Sequence, residues 1–246
     1  MNILFTISYK GTNYSGWQIQ KNAVSIQEII ETAIFRATKQ KVELTASGRT
    51  DAGVHAIKQY ANAKINFPKP EKLPNAINPF LPDDIKVLSA TVVPEDFNAR
   101  FSAKQKTYMY KLRIAEFESP LSYEFVTTIS QNLDIGKMIK AKKYLLGEHD
   151  FKSLCASKTQ TKDFIRTIYD IQIEKQDSEF SFYVTGNGFL YNMVRILVGV
   201  LCDVGSGKIS PEQVAEILNA KSRIYAGKTM PAKGLYLYDV KYSDLK

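Results

Sequence analysis

The chain has 246 residues, 44% of them hydrophobic, enough for one large α/β domain or two closely associated halves. Its 33 Lys and Arg outnumber its 25 Asp and Glu, giving a formal charge of +8 and a pI near 9.2, a balance that favours a polyanionic partner. Cys155 and Cys202 form no C-x-x-C pair, which argues against a disulfide framework and for a reducing, cytoplasmic setting.

In chain order, Ile3, Phe5, Ile7 and Tyr9 alternate as one face of a strand, closed by Gly11-Thr12-Asn13. That stretch is too short and too alternating for a signal peptide. A helix is predicted from about Ser25 to Lys39. Ser25 and Glu28 have capping-box spacing, and Ile26, Ile29, Ile30, Ala33, Ile34 and Ala37 line one side. Val42–Thr45 reads as a short strand, and the prolines of 66–84 exclude long regular elements there.

From Thr107 a second strand alternates, with Tyr108, Tyr110, Leu112 and Ile114 on one face. A helix follows over about Asp134–Leu146 with Gly147 behind it, and Lys137, Lys140, Lys142 and Lys143 make a basic face. Phe164–Ile173 and Phe180–Thr185 form a hairpin, and Leu190–Val204 a buried helix that carries Arg195 and Asp203 and so cannot span a bilayer. Ser210-Pro211-Glu212-Gln213 opens a last helix, and Leu235–Val240 a closing strand. The order predicts an α+β fold of two halves, 1–105 and 106–246, without a convincing internal repeat.

The densest run is Ala46-Ser47-Gly48-Arg49-Thr50-Asp51-Ala52-Gly53-Val54-His55. Glycines on both sides let the backbone turn sharply, and an arginine beside an aspartate favours the ionised carboxylate. Alone, Arg-Thr-Asp would be an ordinary surface turn. Two further runs accompany it: Phe97-Asn98-Ala99-Arg100-Phe101-Ser102-Ala103 with Lys106-Thr107-Tyr108, and Gly188-Phe189-Leu190-Tyr191-Asn192-Met193-Val194-Arg195. Arg195 falls on the apolar stripe of Val194, Leu197, Val198 and Leu201, where burial without a carboxylate partner is costly.

Together these runs resemble the motifs of the tRNA pseudouridine synthases of the A type, the Asp51 run without a substitution and the second with Asn98 in place of the usual histidine. The resemblance implies a pseudouridine synthase fold: two ferredoxin-like halves sharing a central, mostly antiparallel sheet, helices on one face, the active-site cleft between halves. It implies an isomerase that converts uridine to pseudouridine at positions 38, 39 and 40 of the tRNA anticodon stem-loop. By motif position, Asp51 is catalytic and Tyr108 stacks on the uracil, with Tyr110 as rival. Arg195 pairs with Asp51, helped by Arg49, and Leu235 or Leu237 lies against the base. It further implies no metal or cofactor, a homodimer, and a cytoplasmic enzyme acting on tRNA. A tRNA-binding protein or chaperone that kept the fold and lost the chemistry is the alternative.

Two lookalikes fail. Gly205-Ser206-Gly207-Lys208 lacks the first glycine and the Ser/Thr of a phosphate loop, and Gly186-Asn187-Gly188 lacks the third glycine of a dinucleotide fingerprint. The only histidines, His55 and His149, are isolated from other ligand types, which disfavours zinc chemistry.

Overall fold

The computed structural model describes residues 1–157, 159 and 161–243. They form two compact units, Met1–Lys104 with the segment from Tyr236, and Gln105–Leu235. Each unit is α+β, built on a mixed, mostly antiparallel sheet.

In the first unit, strand β1 (Asn2–Tyr9) is flanked on both sides by antiparallel partners, β3 (His55–Lys64) and β4 (Ile85–Val93). A short β2 (Thr45–Ala46) pairs with β3. The closing strand β10 (Leu235–Tyr242) runs parallel to β3, with Tyr236 opposite His55 and Leu237 opposite Ala56. The alternation read in β1 is observed, with Ile3, Phe5, Ile7 and Tyr9 all buried. Leu4, on the other face, is buried as well, in a cluster with Val93, Phe97 and Ala99.

Helix α1 (Ile26–Thr38) starts where its cap places it, the Ser25 hydroxyl accepting from the Glu28 N–H. Lys39 ends it in the left-handed region. In the proline-rich stretch only short helical turns form, the longest being α2 (Leu73–Ile77), which packs on α1 and β4.

In the second unit, β5 (Ala103–Ile114) pairs antiparallel with β9 (Glu179–Gly186), Tyr108 lying opposite Val184. The predicted hairpin forms between β8 (Ile165–Gln176) and β9, turning at Asp177 with φ +53°. Two short strands complete this sheet: β7 (Gly147–Asp150) on β8, and β6 (Thr127–Ile129), parallel to β5.

Helix α3 (Ile135–Lys142) is capped by Asp134 and packs on α4 (Met193–Gly205), of which every residue but Arg195 and Asp203 is buried. Lys137, Lys140 and Lys143 are exposed, as the basic face requires. Lys142 departs from it, because its ammonium donates inward to the Ile171 carbonyl at 2.5 Å. Helix α5 (Gln213–Asn219) begins later than its sequence suggests, yet half of the expected capping box forms, the Ser210 N–H donating to Gln213 Oε1 at 2.8 Å. Among the described residues, no helix is long and apolar enough to cross a membrane.

Candidate active site

The Asp51 loop joins β2 to β3 and is held mainly through its backbone. Trp17 N–H donates to the Thr50 carbonyl at 3.0 Å, Gly53 N–H to the Tyr14 carbonyl at 3.4 Å, and Val54 N–H to the Asp51 carbonyl at 3.1 Å. Side chains brace both ends. Thr50 Oγ1 shares a buried 2.7 Å hydrogen bond with the Tyr9 hydroxyl, whose pKa burial pushes well above the usual phenol range. Ser47 Oγ donates to Gln59 Oε1 at 2.6 Å, while Gln59 Nε2 donates to the Gly48 carbonyl at 2.8 Å.

Three consecutive residues thereby take three different situations: Arg49 exposed, Thr50 buried, Asp51 half-buried. The loop presents charge outward on a rigid footing. At its end, buried His55 accepts from the Gly11 N–H through Nδ1 at 3.0 Å, and its ring lies 4.8 Å from that of Tyr236. It works as a brace, as an isolated histidine suggests.

The residues that the sequence reading missed lie just before α1. A Cβ at Gly11 would stand 1.9 Å from the Val54 carbonyl oxygen, and one at Gly16 2.5 Å from that of Thr50. Gly16 also has φ +88°, a region L side chains rarely adopt. Two glycines and the chain's only tryptophan within seven residues were the available signal. Gly16→Ala is expected to push the backbone of Thr50 and Asp51 out of place and to destabilise the fold by about 1–3 kcal/mol, the cost of a side chain held in that strained backbone region. A lowered melting temperature is the expected result. A wild-type melting temperature would show that the contact is not a tight one.

The second motif begins as a turn. Asn98 Oδ1 accepts from the N–H groups of Arg100 and Phe101, at 3.0 and 3.1 Å, a capping task for which the substituted amide is well suited. Asn2 and Asn62 both donate to the Phe97 carbonyl, at 2.9 and 3.3 Å, and so anchor the run beside β1. Further on, Tyr108 meets Phe189 of the third motif edge-on, ring centres 5.2 Å apart and planes at 88°. Tyr108 keeps 9% of its surface exposed and Tyr110 none. The Tyr110 hydroxyl donates to the Pro231 carbonyl at 2.9 Å and bonds Thr127 Oγ1 at 2.6 Å. Gly234 is required by that crowding, since a Cβ there would lie 2.7 Å from Tyr110 Cζ. Leu235 and Leu237 follow it, and both are buried.

Arg195 is half-buried on α4. Its Nε donates to the Met230 carbonyl at 2.6 Å and its Nη1 to Asn192 Oδ1 at 2.7 Å. Its positive charge also acts on Tyr110, opposing part of the rise that burial imposes on that hydroxyl. Asp51 and Arg49 thus belong to the first unit, and Tyr108, Arg195 and Leu235 to the second.

Gly205-Ser206-Gly207-Lys208 closes α4 rather than opening a helix, and Lys208 Nζ reaches back to Asp203 Oδ1 at 3.3 Å. A phosphate cradle needs the N-terminal end of a helix. Among the described residues no set of three or more His, Cys, Asp or Glu side chains is arranged to hold a metal ion.

The family model described as tRNA pseudouridine synthase matches residues 6–102 and 141–243. A protein of Thermoanaerobacter sp. (strain X514) called tRNA pseudouridine synthase A is 47% identical over 98% of this chain and 99% of its own length. Its namesake in Caldicellulosiruptor saccharolyticus is 46% identical over the same shares. That of Bacillus pumilus is 42% identical over 99% of this chain and all of its own. With full-length identity at this level, and the motif residues held in the geometry just described, the chain belongs to the tRNA pseudouridine synthase A family.

Proposed function

We propose that the chain isomerises uridine to pseudouridine at positions 38, 39 and 40 of the tRNA anticodon stem-loop, with Asp51 as its catalytic residue. The observation that carries this reading is the Asp51 loop: an unbroken motif whose carboxylate is half-buried on a braced backbone. The reaction breaks the N1–C1′ bond, turns the uracil, and joins C5 to C1′, the C5 proton leaving to solvent while the freed N1 takes one up. Asp51 either traps the cationic C1′, as carboxylates do in glycoside cleavage, or removes the C2′ proton. Arg195 and Arg49 keep it ionised. A uridine within a stem reaches it only when flipped out.

Tyr108 then stacks on the flipped base, worth about 1–3 kcal/mol. Full burial of Tyr110, with its hydroxyl doubly bonded, supports Tyr108 over its rival. Leu235 packs against the base from the start of β10. The enzyme needs no metal or redox cofactor for these steps and works in the cytoplasm. A homodimer supplies surface for an L-shaped RNA that one 246-residue subunit lacks.

Tritium release from tRNA carrying 5-tritiated uracil tests the reaction directly. Release that persists in EDTA on a folded stem-loop is expected. Binding without release would make the chain a tRNA-binding protein instead.

The exposed Lys137, Lys140 and Lys143 are proposed contacts to the tRNA backbone, which position without reading sequence. Affinity should then fall steeply with salt, by roughly 0.9 in log–log slope per duplex phosphate contact. Reversing the charge of Lys140 and Lys143 together is expected to flatten that slope while the same uridines are modified. An unchanged slope would place the RNA surface elsewhere.

A further inference from the structure

Helix α4 begins in an unusual way. Its N-cap, Asn192, sits at φ 59° and ψ 9°, in the left-handed region, and gives no side-chain hydrogen bond to the first helical N–H groups. Most caps are extended and spend their side-chain oxygen on those groups. Asparagine is among the few residues besides glycine that tolerate this backbone, whereas the β-branched cap threonine does not. The Asn192 oxygen is turned to Arg195, whose Nη1 donates to it at 2.7 Å.

A second hold comes from the segment after α5. Arg195 Nε donates to the Met230 carbonyl at 2.6 Å, and the Met230 N–H returns to the Arg195 carbonyl at 3.3 Å. This segment lies close on α4 because residue 199 is glycine, where a Cβ would stand 2.4 Å from the Lys228 carbonyl oxygen. Arg223 ties it internally, donating to the Gly227 carbonyl at 2.6 Å and to Thr229 Oγ1 at 2.9 Å.

We infer that Asn192 is a positioning residue for the isomerisation: with the Met230 carbonyl it fixes the plane of the Arg195 guanidinium. The inference rests on the proposed role of Arg195 in keeping Asp51 ionised. A planar group held at two different nitrogens cannot turn about its last torsions without breaking a charge-assisted bond. The helix forgoes a side-chain cap and keeps a strained residue at its start, and the feature obtained is the orientation of one arginine. The neutral amide suits the task. An aspartate would also tolerate the backbone, but its charge would offset that of the guanidinium.

Asn192→Gly tests this, because it keeps the left-handed backbone and removes the oxygen. The expected result is a melting temperature close to wild type and an unchanged KM for tRNA. The single-turnover rate should fall about 10-fold, as for loss of one charge-assisted hydrogen bond. The acid limb of the pH–rate profile should move to higher pH. In an Arg195→Lys background the same substitution should add less than about two-fold, since groups acting as a unit are not additive. A wild-type rate and profile in Asn192→Gly beside an impaired Arg195→Met overturns the role of Asn192 and leaves that of Arg195 standing. Wild-type behaviour in Arg195→Met overturns the proposed role of Arg195 and this inference with it. Full multiplication of the Asn192→Gly and Arg195→Lys losses also overturns it, since Asn192 would then act independently of Arg195.

Discussion

Asp51→Asn and Asp51→Ala are each expected to abolish isomerisation, with tRNA binding kept within several-fold of wild type. Asparagine is the sharper of the two, because it matches the carboxylate in shape and lacks only its charge. The loop it stands on is bonded through the backbone atoms of Thr50, Asp51 and Gly53, so neither change should disturb the footing. Loss of a nucleophile or base that nothing else replaces lowers rates on the order of 10⁴- to 10⁶-fold. Single-turnover tritium release measures the chemistry, and filter binding measures the complex. Turnover by Asp51→Ala would remove Asp51 from the reacting position.

Arg195 is expected to show the second largest effect. Arg195→Lys keeps the charge but loses the planar, two-pronged donor that Asn192 and Met230 hold in place, and it should retain part of the activity. Arg195→Met should lower the rate on the order of 10²-fold or more, the usual loss for one preorganised charged donor. The sign of the pH effect follows from the proposed role of Arg195 in keeping Asp51 ionised. A guanidinium beside a carboxylate favours the ionised form and lowers its pKa by about 1–3 units. Its removal raises that pKa, so activity should be lost at a higher pH on the acid side. An unchanged acid limb would make Arg49 the partner that keeps Asp51 ionised.

What could be read in the sequence follows the strength of local signals. Strand β1 and helix α1 were legible because each buries a face at its own period and α1 has its cap written in Ser25 and Glu28. Strand β3 was not: His55–Lys64 holds three alanines, a glutamine and an asparagine, and buries residues at no fixed period. Strand β4 carries a bulge at Leu88, between Val87 and Ser89, which breaks the alternation that Ile85 and Val87 begin. Lys142 looked like its neighbours on the basic face, and only tertiary packing turns it toward Ile171.

The candidate site was legible through motif identity alone; nothing in composition or periodicity singles out Asp51. Its supports stayed hidden because they act through backbone contacts between distant segments. Gly11 and Gly16 answer to Val54 and Thr50, and a glycine's reason for being present is visible only beside the atom it avoids.

Those backbone contacts separate where the loop sits from what it displays. Thr12, Asn13 and Ala52 are exposed while the main chain beside them is tied down. Substitution at such positions changes the surface offered to an RNA and leaves the carboxylate where it was. Display and placement are thereby divided between two parts of one loop: side chains carry the first and the peptide backbone the second.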